Sequence, residues 1–369
     1  MKVIKKLKAF LRDRCYVPIL QKQAKHRRRR LGTTIIGITG TNGTTTTKEL
    51  VSAVLSRKYN TISTQGNFNN HIGVPLTLRR LRLDTKIAVV EMGANHPGEI
   101  AFLCNIAHPN YGLITNIGKA HIEGFGSFEG VVNTKKELYD YLRTHGGEAI
   151  VNGDNTLLMG LSDGLKRYTY GSKAGNECVV SLVSCSPFLK VNATGVGDIQ
   201  TRLVGDYNFE NVAAAIAVGL RFGVDSADIK ASLESYEPQN GRSQMIETEN
   251  NLVEMDAYNA NPTSMSASIT SFKAICGDKP LLILGDMLEL GDASGQEHRA
   301  ILKLIKHLGF NEVFLVGQNF SQYNDNPMWG TFATVDDLIT HLKQHPVKGR
   351  TILVKGSHGI LLEKVLDTL

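Results

Sequence analysis

A short β-branched run that breaks into glycines and restarts as a helix sets the fold class of this chain. Residues 33–59 read TTIIGITGTNGTTTTKELVSAVLSRKY. TTIIGIT has the composition of a buried strand and GTNG interrupts it. Leu50, Val51, Val54 and Leu55 then recur at helical spacing. A strand, a glycine loop and a helix in that order make the first half of a crossover, which brings the next strand back parallel. KIAVVEM (86–92), YGLITNI (111–117) and EAIVNGD (148–154) are further strand candidates separated by helical patterns. The pattern predicts an α/β protein with a mostly parallel sheet and helices on both faces. Ligands of such sheets lie beyond the carboxyl ends of the strands. Glu91, Asn116 and His121 all fall at or just after those ends.

From about 165 to 204 the chain turns β-branched and polar, as in an antiparallel insertion or a sheet edge. GDYNFENVAAAIAVGLRFG restores a helix, with Asn208 and Asn211 in its first turns. A second Rossmann-like α/β unit follows the turn-forming EPQNGR, with strands in NNLVEMDAY, KPLLILGDM, EVFLVG and RTILVKGS. Its 369 residues suit two or three domains. The expected division is a basic arm at 1–32, a central domain at 33–240 and a C-terminal domain at 241–369.

Charge is unevenly spread. Residues 1–30 carry twelve Lys/Arg against one acidic side chain, and the rest of the chain carries 29 basic against 34 acidic. Val3, Ile4, Leu7, Phe10 and Leu11 have helical spacing, Pro18 is expected to end that helix, and HRRRR closes the arm. The simplest expectation is a helix packed on the first sheet followed by a solvated basic linker. A peripheral contact of residues 1–30 with an anionic membrane is the alternative. The arm has almost no interleaved aromatics of the kind that stack on bases, so no nucleic-acid partner is expected. No apolar run reaches membrane-spanning length. Five cysteines far apart, with no C-x-x-C, argue against a zinc or disulfide framework and fit the cytoplasm.

GITGTNGTTTTKE (37–49) has the order of a phosphate loop of the form G-x-x-x-x-G-K-[ST]. Gly40, Thr41, Asn42 and Gly43 occupy the cradle, and Thr45 and Thr46 offer hydroxyls to Mg²⁺ and phosphate. The lysine position is Thr44. A Gly/Thr-rich turn can also be purely structural, but the strand before and the helix after favour a nucleotide site. Glu91 and His121 supply an anionic oxygen and a ring nitrogen, both plausible metal ligands, and either alone could be a structural polar residue. Lys135 in NTKKEL reads by itself as a surface lysine.

Taken in order, GITGTNGTTTTKE, GNFNNHIGVPLTL, VVEMGANHPGEI, LITNIGKAHIEGFGS, GDYNFENVAAA, NGR, DAYNANPTSM, LGDMLELG and VKGSHG resemble the Mur ligases of peptidoglycan synthesis, from about residue 33 to the C-terminus. The resemblance is closest to the branch that adds D-Ala-D-Ala to UDP-N-acetylmuramoyl-tripeptide. It implies a cytoplasmic ATP-dependent amide ligase that activates a carboxylate as an acyl phosphate and transfers it to an amine. It implies Mg²⁺ at Thr45, Glu91, His121 and Lys135, the last carbamylated. Nucleotide contacts would come from Gly40 to Thr46, Asn208, Asn211, Arg242 and Asp256. Asn69 and Asn70 would border the acyl substrate, a cell-wall precursor. Tyr258, Asn259, Asn261 and Pro262 would mark the site of the D-Ala-D-Ala-like amine. A monomer is expected.

The chain departs from that family at Thr44, at His358 where an arginine is frequent, and in length, since about 35 residues before the loop leave no room for the UDP-binding domain. Lys48 lies one helical turn beyond Thr44 and is expected to project away from the loop. These departures keep two alternatives open: a ligase with another acyl substrate, and a nucleotide-binding homologue with impaired turnover.

Overall fold

The structure, a computed structural model, describes residues 16–119, 122–239 and 241–369. The amphipathic pattern at 3–11 lies outside them. Helix α1 spans Val17–Leu31, and Pro18 occupies its first turn. A proline there gives up an N–H that would have no helical acceptor anyway. Pro18 therefore sits where a helix begins, and HRRRR forms the last turns of that helix, not a solvated linker. Arg28 is buried. Its guanidinium donates to the Ala107 and His108 carbonyls, each at 3.2 Å, and to Asn110 Oδ1 at 2.8 Å.

The first sheet runs β2 (Thr61–Ser63), β3 (Ile87–Glu91), β1 (Thr34–Thr39), β4 (Tyr111–Ile114), β5 (Glu148–Asn152), β6 (Lys166–Gly171), β7 (Cys178–Ser184), β8 (Lys190–Ala193) and β9 (Gly197–Gln200). Pairing is parallel from β2 to β7 and antiparallel from β7 to β9. The polar β-branched stretch is thus the sheet's edge, as its composition implies. Strand β1 lies between β3 and β4, so connections leave it in both directions. A crevice opens at the carboxyl ends of such strands.

Both faces are covered, which is why these strands read as unbroken apolar runs. On one face, α2 (Thr44–Ser56) packs on helix 209–221. Leu50, Val51, Val54 and Leu55 are fully buried there, each contributing roughly 2 kcal/mol of burial. On the other lie α3 (Gly73–Arg79), α4 (Glu99–Ala107) and α5 (Phe128–His145). The partner of α2 is α6 (Phe209–Arg221), and α7 (Ser226–Ser235) packs beside both on the same face.

The second sheet has the order β10 (Gln244–Glu247), β11 (Leu252–Asp256), β15 (Thr351–Lys355), β12 (Pro280–Gly285), β13 (Val313–Val316) and β14 (Gly330–Phe332). All pairs are parallel except β10–β11. Helices α8 (Pro262–Ile275), α9 (Ser294–His307) and α10 (Val335–Gln344) flank it. Strands β2, β10 and β14 are too short or too polar to stand out in the sequence. No described helix is long and apolar enough to cross a membrane.

Candidate active site at the mouth of the first sheet

Strand β1 delivers the glycine loop directly onto α2. Gly43, at φ 75°, is the N-cap of that helix. A Cβ on Gly43 would lie 2.3 Å from Asn211 Oδ1, and one on Gly40, at φ 154°, would lie 2.0 Å from Thr115 Oγ1. Glycine is needed at both positions for conformation and for space. The loop is pinned on its far side: Thr41 N donates to Asn116 O at 2.9 Å and Asn42 N to Asn116 Oδ1 at 3.0 Å. The first N–H groups of α2, which have no helical acceptors, open toward the cavity as an anion cradle.

Glu91 ends β3 opposite Ile38 of β1, which puts its carboxylate beside the start of α2. Thr45 Oγ1 donates to both carboxylate oxygens at 3.1 Å. Thr44 Oγ1 and Asn69 Nδ2 reach Oε1 at 3.3 and 3.0 Å. Threonine at the lysine position therefore bonds to the acidic group instead of bringing a charge into the loop. Lys48 does not project away as expected. It is 1% exposed, with Nζ 3.8 Å from Glu91 Oε2 and 3.5 Å from Glu49 Oε1. Packing of α2 against the sheet and α6 leaves its stem no route to solvent, so it turns toward the nearest carboxylates.

Lys135 is no surface lysine. It sits mid-helix in α5, 4% exposed. Burial lowers its amine to about 8, against the opposing pull of Glu99, Glu137 and Glu91. Its neighbour Lys136 pairs with Asp140, and Glu137 caps the start of α4 through Gly98 N and Ala101 N. His121 lies outside the described residues. Among the described residues no group of three His, Cys, Asp or Glu side chains forms a metal centre. The oxygen-rich surroundings of Glu91, with two threonine hydroxyls, nonetheless match the donors that Mg²⁺ takes.

The second sheet closes the cavity from above. Asp256, at the end of β11, accepts from Ser268 Oγ at 2.8 Å and pairs with the buried Lys355 of β15. Tyr258 lies against the Arg242 guanidinium, 3.6 Å from its ring centre, and stacks with the His358 ring at 5.8 Å. Asn259 Oδ1 accepts from Ala260 N. Asn261 caps α8 and donates from Nδ2 to Asn42 Oδ1 at 2.7 Å, so its polar atoms are already committed. Asn211 bridges Thr47 and Asn208. Asn70 Oδ1 accepts from Ile72 N and Gly73 N at the start of α3.

The cleft between the two sheets measures about 1130 Å³. Around it lie Gly40 to Thr46, Asn69, Asn70, Glu91, Lys135, Asn208, Asn211, Arg242, Asp256, Tyr258, Asn259 and Asn261. Sequence reasoning did not find Lys355, Ser268 or Tyr207, which also line it. Tyr207 Oη lies 2.8 Å from Ser243 Oγ and donates to Glu254 Oε1 at 3.2 Å, tying the two sheets together. The lysine in RTILVKGS, at a strand end, was the one available signal for Lys355.

The profile of the Mur ligase middle domain matches residues 38–219, and that of the Mur ligase glutamate ligase domain matches residues 241–358. The UDP-N-acetylmuramoyl-tripeptide–D-alanyl-D-alanine ligase of Bacillus subtilis (strain 168) is 36% identical over 362 residues, covering 95% of this chain and 79% of that protein. The crystal structure of MurF from Acinetobacter baumannii superposes with a TM-score of 0.85 at 31% identity, covering 95% of this chain and 80% of that one. MurF ligase from Thermotoga maritima, solved in complex with ADP, gives 0.84 at 26% identity, covering 96% and 83%.

Proposed function

The chain belongs to the Mur ligase family, and from that premise we propose that it is an ATP-dependent ligase joining D-Ala-D-Ala to the carboxylate of a UDP-N-acetylmuramoyl-tripeptide in peptidoglycan synthesis. The observation that carries this reading is the single cavity in which the loop Gly40–Thr46, Glu91 and Lys135 of the first sheet face Arg242, Asp256 and Tyr258 of the second. In this reading residues 33–240 hold the nucleotide, residues 241–369 close over it, and residues 1–32 form an arm.

A carboxylate is a poor electrophile. Phosphoryl transfer from ATP converts it to an acyl phosphate, an amine attacks that carbonyl, and phosphate leaves the tetrahedral intermediate. The protein's share is positioning and charge neutralisation, with no covalent nucleophile needed. The backbone cradle holds the phosphates, and Asn208 and Asn211 border the adenine end. Arg242, held flat on Tyr258, faces the nucleotide from the hinge. Asn69 and Asn70 border the acyl substrate, while Tyr258, Asn259 and Asn261 border the amine. Mg²⁺ would be held by Thr45, Glu91, His121 and Lys135 and would neutralise phosphate charge. An amine brought to about 8 has a substantial neutral fraction near that pH. The neutral amine of Lys135 would add CO₂ and release one proton, giving an anionic carbamate whose oxygens serve as ligands. We further read the protein as a cytoplasmic monomer. The exposed Lys22, His26, Arg29 and Arg30 of α1 are the side that would meet an anionic membrane surface.

Thr44 alone favours a second reading, a nucleotide-binding homologue with impaired turnover. Phosphate release from Mg-ATP, with UDP-N-acetylmuramoyl-tripeptide and D-Ala-D-Ala each present or omitted, separates the two. The ligase reading expects turnover that needs both substrates, raised about a hundredfold by Thr44→Lys, as for a restored transition-state cation. Turnover that ignores either substrate in both proteins would reject it. Silence in the native chain with activity in Thr44→Lys would favour the second reading.

A further inference from the structure

Lys48 is a buried cation that the reaction as described does not use. It follows Thr44 by one turn on the same face of α2, and its ammonium lies 3.8 Å from Glu91 Oε2 and 3.5 Å from Glu49 Oε1. Glu91 is 2% exposed, and its neighbours Thr44, Thr45 and Asn69 are all neutral hydrogen-bond donors. Those three contacts orient the carboxylate without cancelling its charge. A buried carboxylate with no counter-charge is strongly unfavourable, and its field would reach any anion held by the adjoining loop. In a loop whose lysine position is threonine, no side-chain charge within the loop itself opposes that field.

We propose that Lys48 is a positioning residue of this site: it neutralises Glu91 from behind the loop, so that phosphates can enter the cradle before a metal ion is engaged. The proposal rests on reading the cavity as a nucleotide site. Lys48 does not touch the phosphates in this account and acts through Glu91. Its charge is therefore required only while Glu91 is charged. Replacing Lys48 by a neutral residue removes the ammonium 3.8 Å from Glu91 and leaves that carboxylate only the more distant charge of Lys135, which it also attracts. Replacing both removes the problem.

The test is ADP binding by calorimetry in EDTA, so that no divalent metal contributes, on the full chain and its variants. Lys48→Met is expected to weaken metal-free ADP binding at least tenfold. Lys48→Arg keeps the charge and should bind within about threefold of the native chain. The double variant Lys48→Met/Glu91→Gln should recover most of the lost affinity, because the mutual term of the double-mutant cycle is the proposal itself. Should Lys48→Met fail to fold, the double variant, which buries neither charge, carries the test alone. Its binding should then stay within a few-fold of native. Equal weakening in Lys48→Met and the double variant would overturn the proposal, as would native affinity in Lys48→Met. A native chain that binds no ADP with or without Mg²⁺ would instead refute the nucleotide reading.

Discussion

Glu254 lies in the middle of β11, 1% exposed, between the two sheets. Its carboxyl accepts from Tyr207 Oη at 3.2 Å. Burial, and secondarily the charge of Asp256, raises it from 4.5 to about 8. An acid with a raised folded pKa binds its proton more tightly in the native state than in the unfolded chain. Its contribution to stability is therefore fully present below about pH 4.5 and is lost progressively as pH rises to about 8, where the loss levels off. Each pH unit inside that window costs about 1.4 kcal/mol. Glu254→Gln keeps an acceptor for Tyr207 and cannot ionise, so it removes the slope. The native chain should be destabilised relative to Glu254→Gln by roughly 3 kcal/mol more at pH 8 than at pH 5. Urea titrations of both proteins at half-unit intervals measure that difference directly. Tryptophan fluorescence serves as the probe, since the single Trp329 is buried in the same half of the molecule. Parallel pH profiles would show that Glu254 is ionised in the native state at neutral pH and would refute the reasoning.

Two further outcomes follow from groups already described. Arg28→Met should cost about 2–3 kcal/mol, because it leaves the Ala107 and His108 carbonyls without their charged donor. Arg30→Met, on the exposed face of the same helix, should stay within about 0.5 kcal/mol; equal effects in thermal unfolding would remove the anchoring role given to Arg28. With ¹³C-bicarbonate, a carbamate resonance should grow in as pH rises through about 8, the value for Lys135. It should be absent from Lys135→Ala, and a resonance that persists in that variant would move the modification elsewhere.

The central strands of both sheets announce themselves because burial on both faces demands unbroken apolar runs, as in IAVVE and LLILG, whereas short or polar edge strands such as β2, β10 and β14 do not. The loop at 40–43 is equally legible, since only glycine satisfies its φ values and its contacts with Thr115 and Asn211. What escaped is directional. Periodicity places Lys48 on a helix, but nothing local says that its buried side chain meets Glu91 at the end of another strand. Pro18 shows the same limit: its own sequence neighbourhood does not say that a helix begins there. Asn261 matches a motif tied to substrate, yet its atoms cap a helix and hold the loop. Hydrogen bonds between distant segments leave no trace in local composition.

The bond between Asn42 and Asn261 spans 219 residues of chain. On a ribosome adding about 5–20 residues per second, the loop waits roughly 10–45 s for the residue that will latch it. The first sheet can assemble in that interval, since its strands end by Gln200. Throughout it, the cradle stands open without its upper wall. A nascent chain of this protein is therefore a nucleotide-facing half-site before it is a closed one, and whatever it meets in those seconds it meets without the second sheet to exclude it.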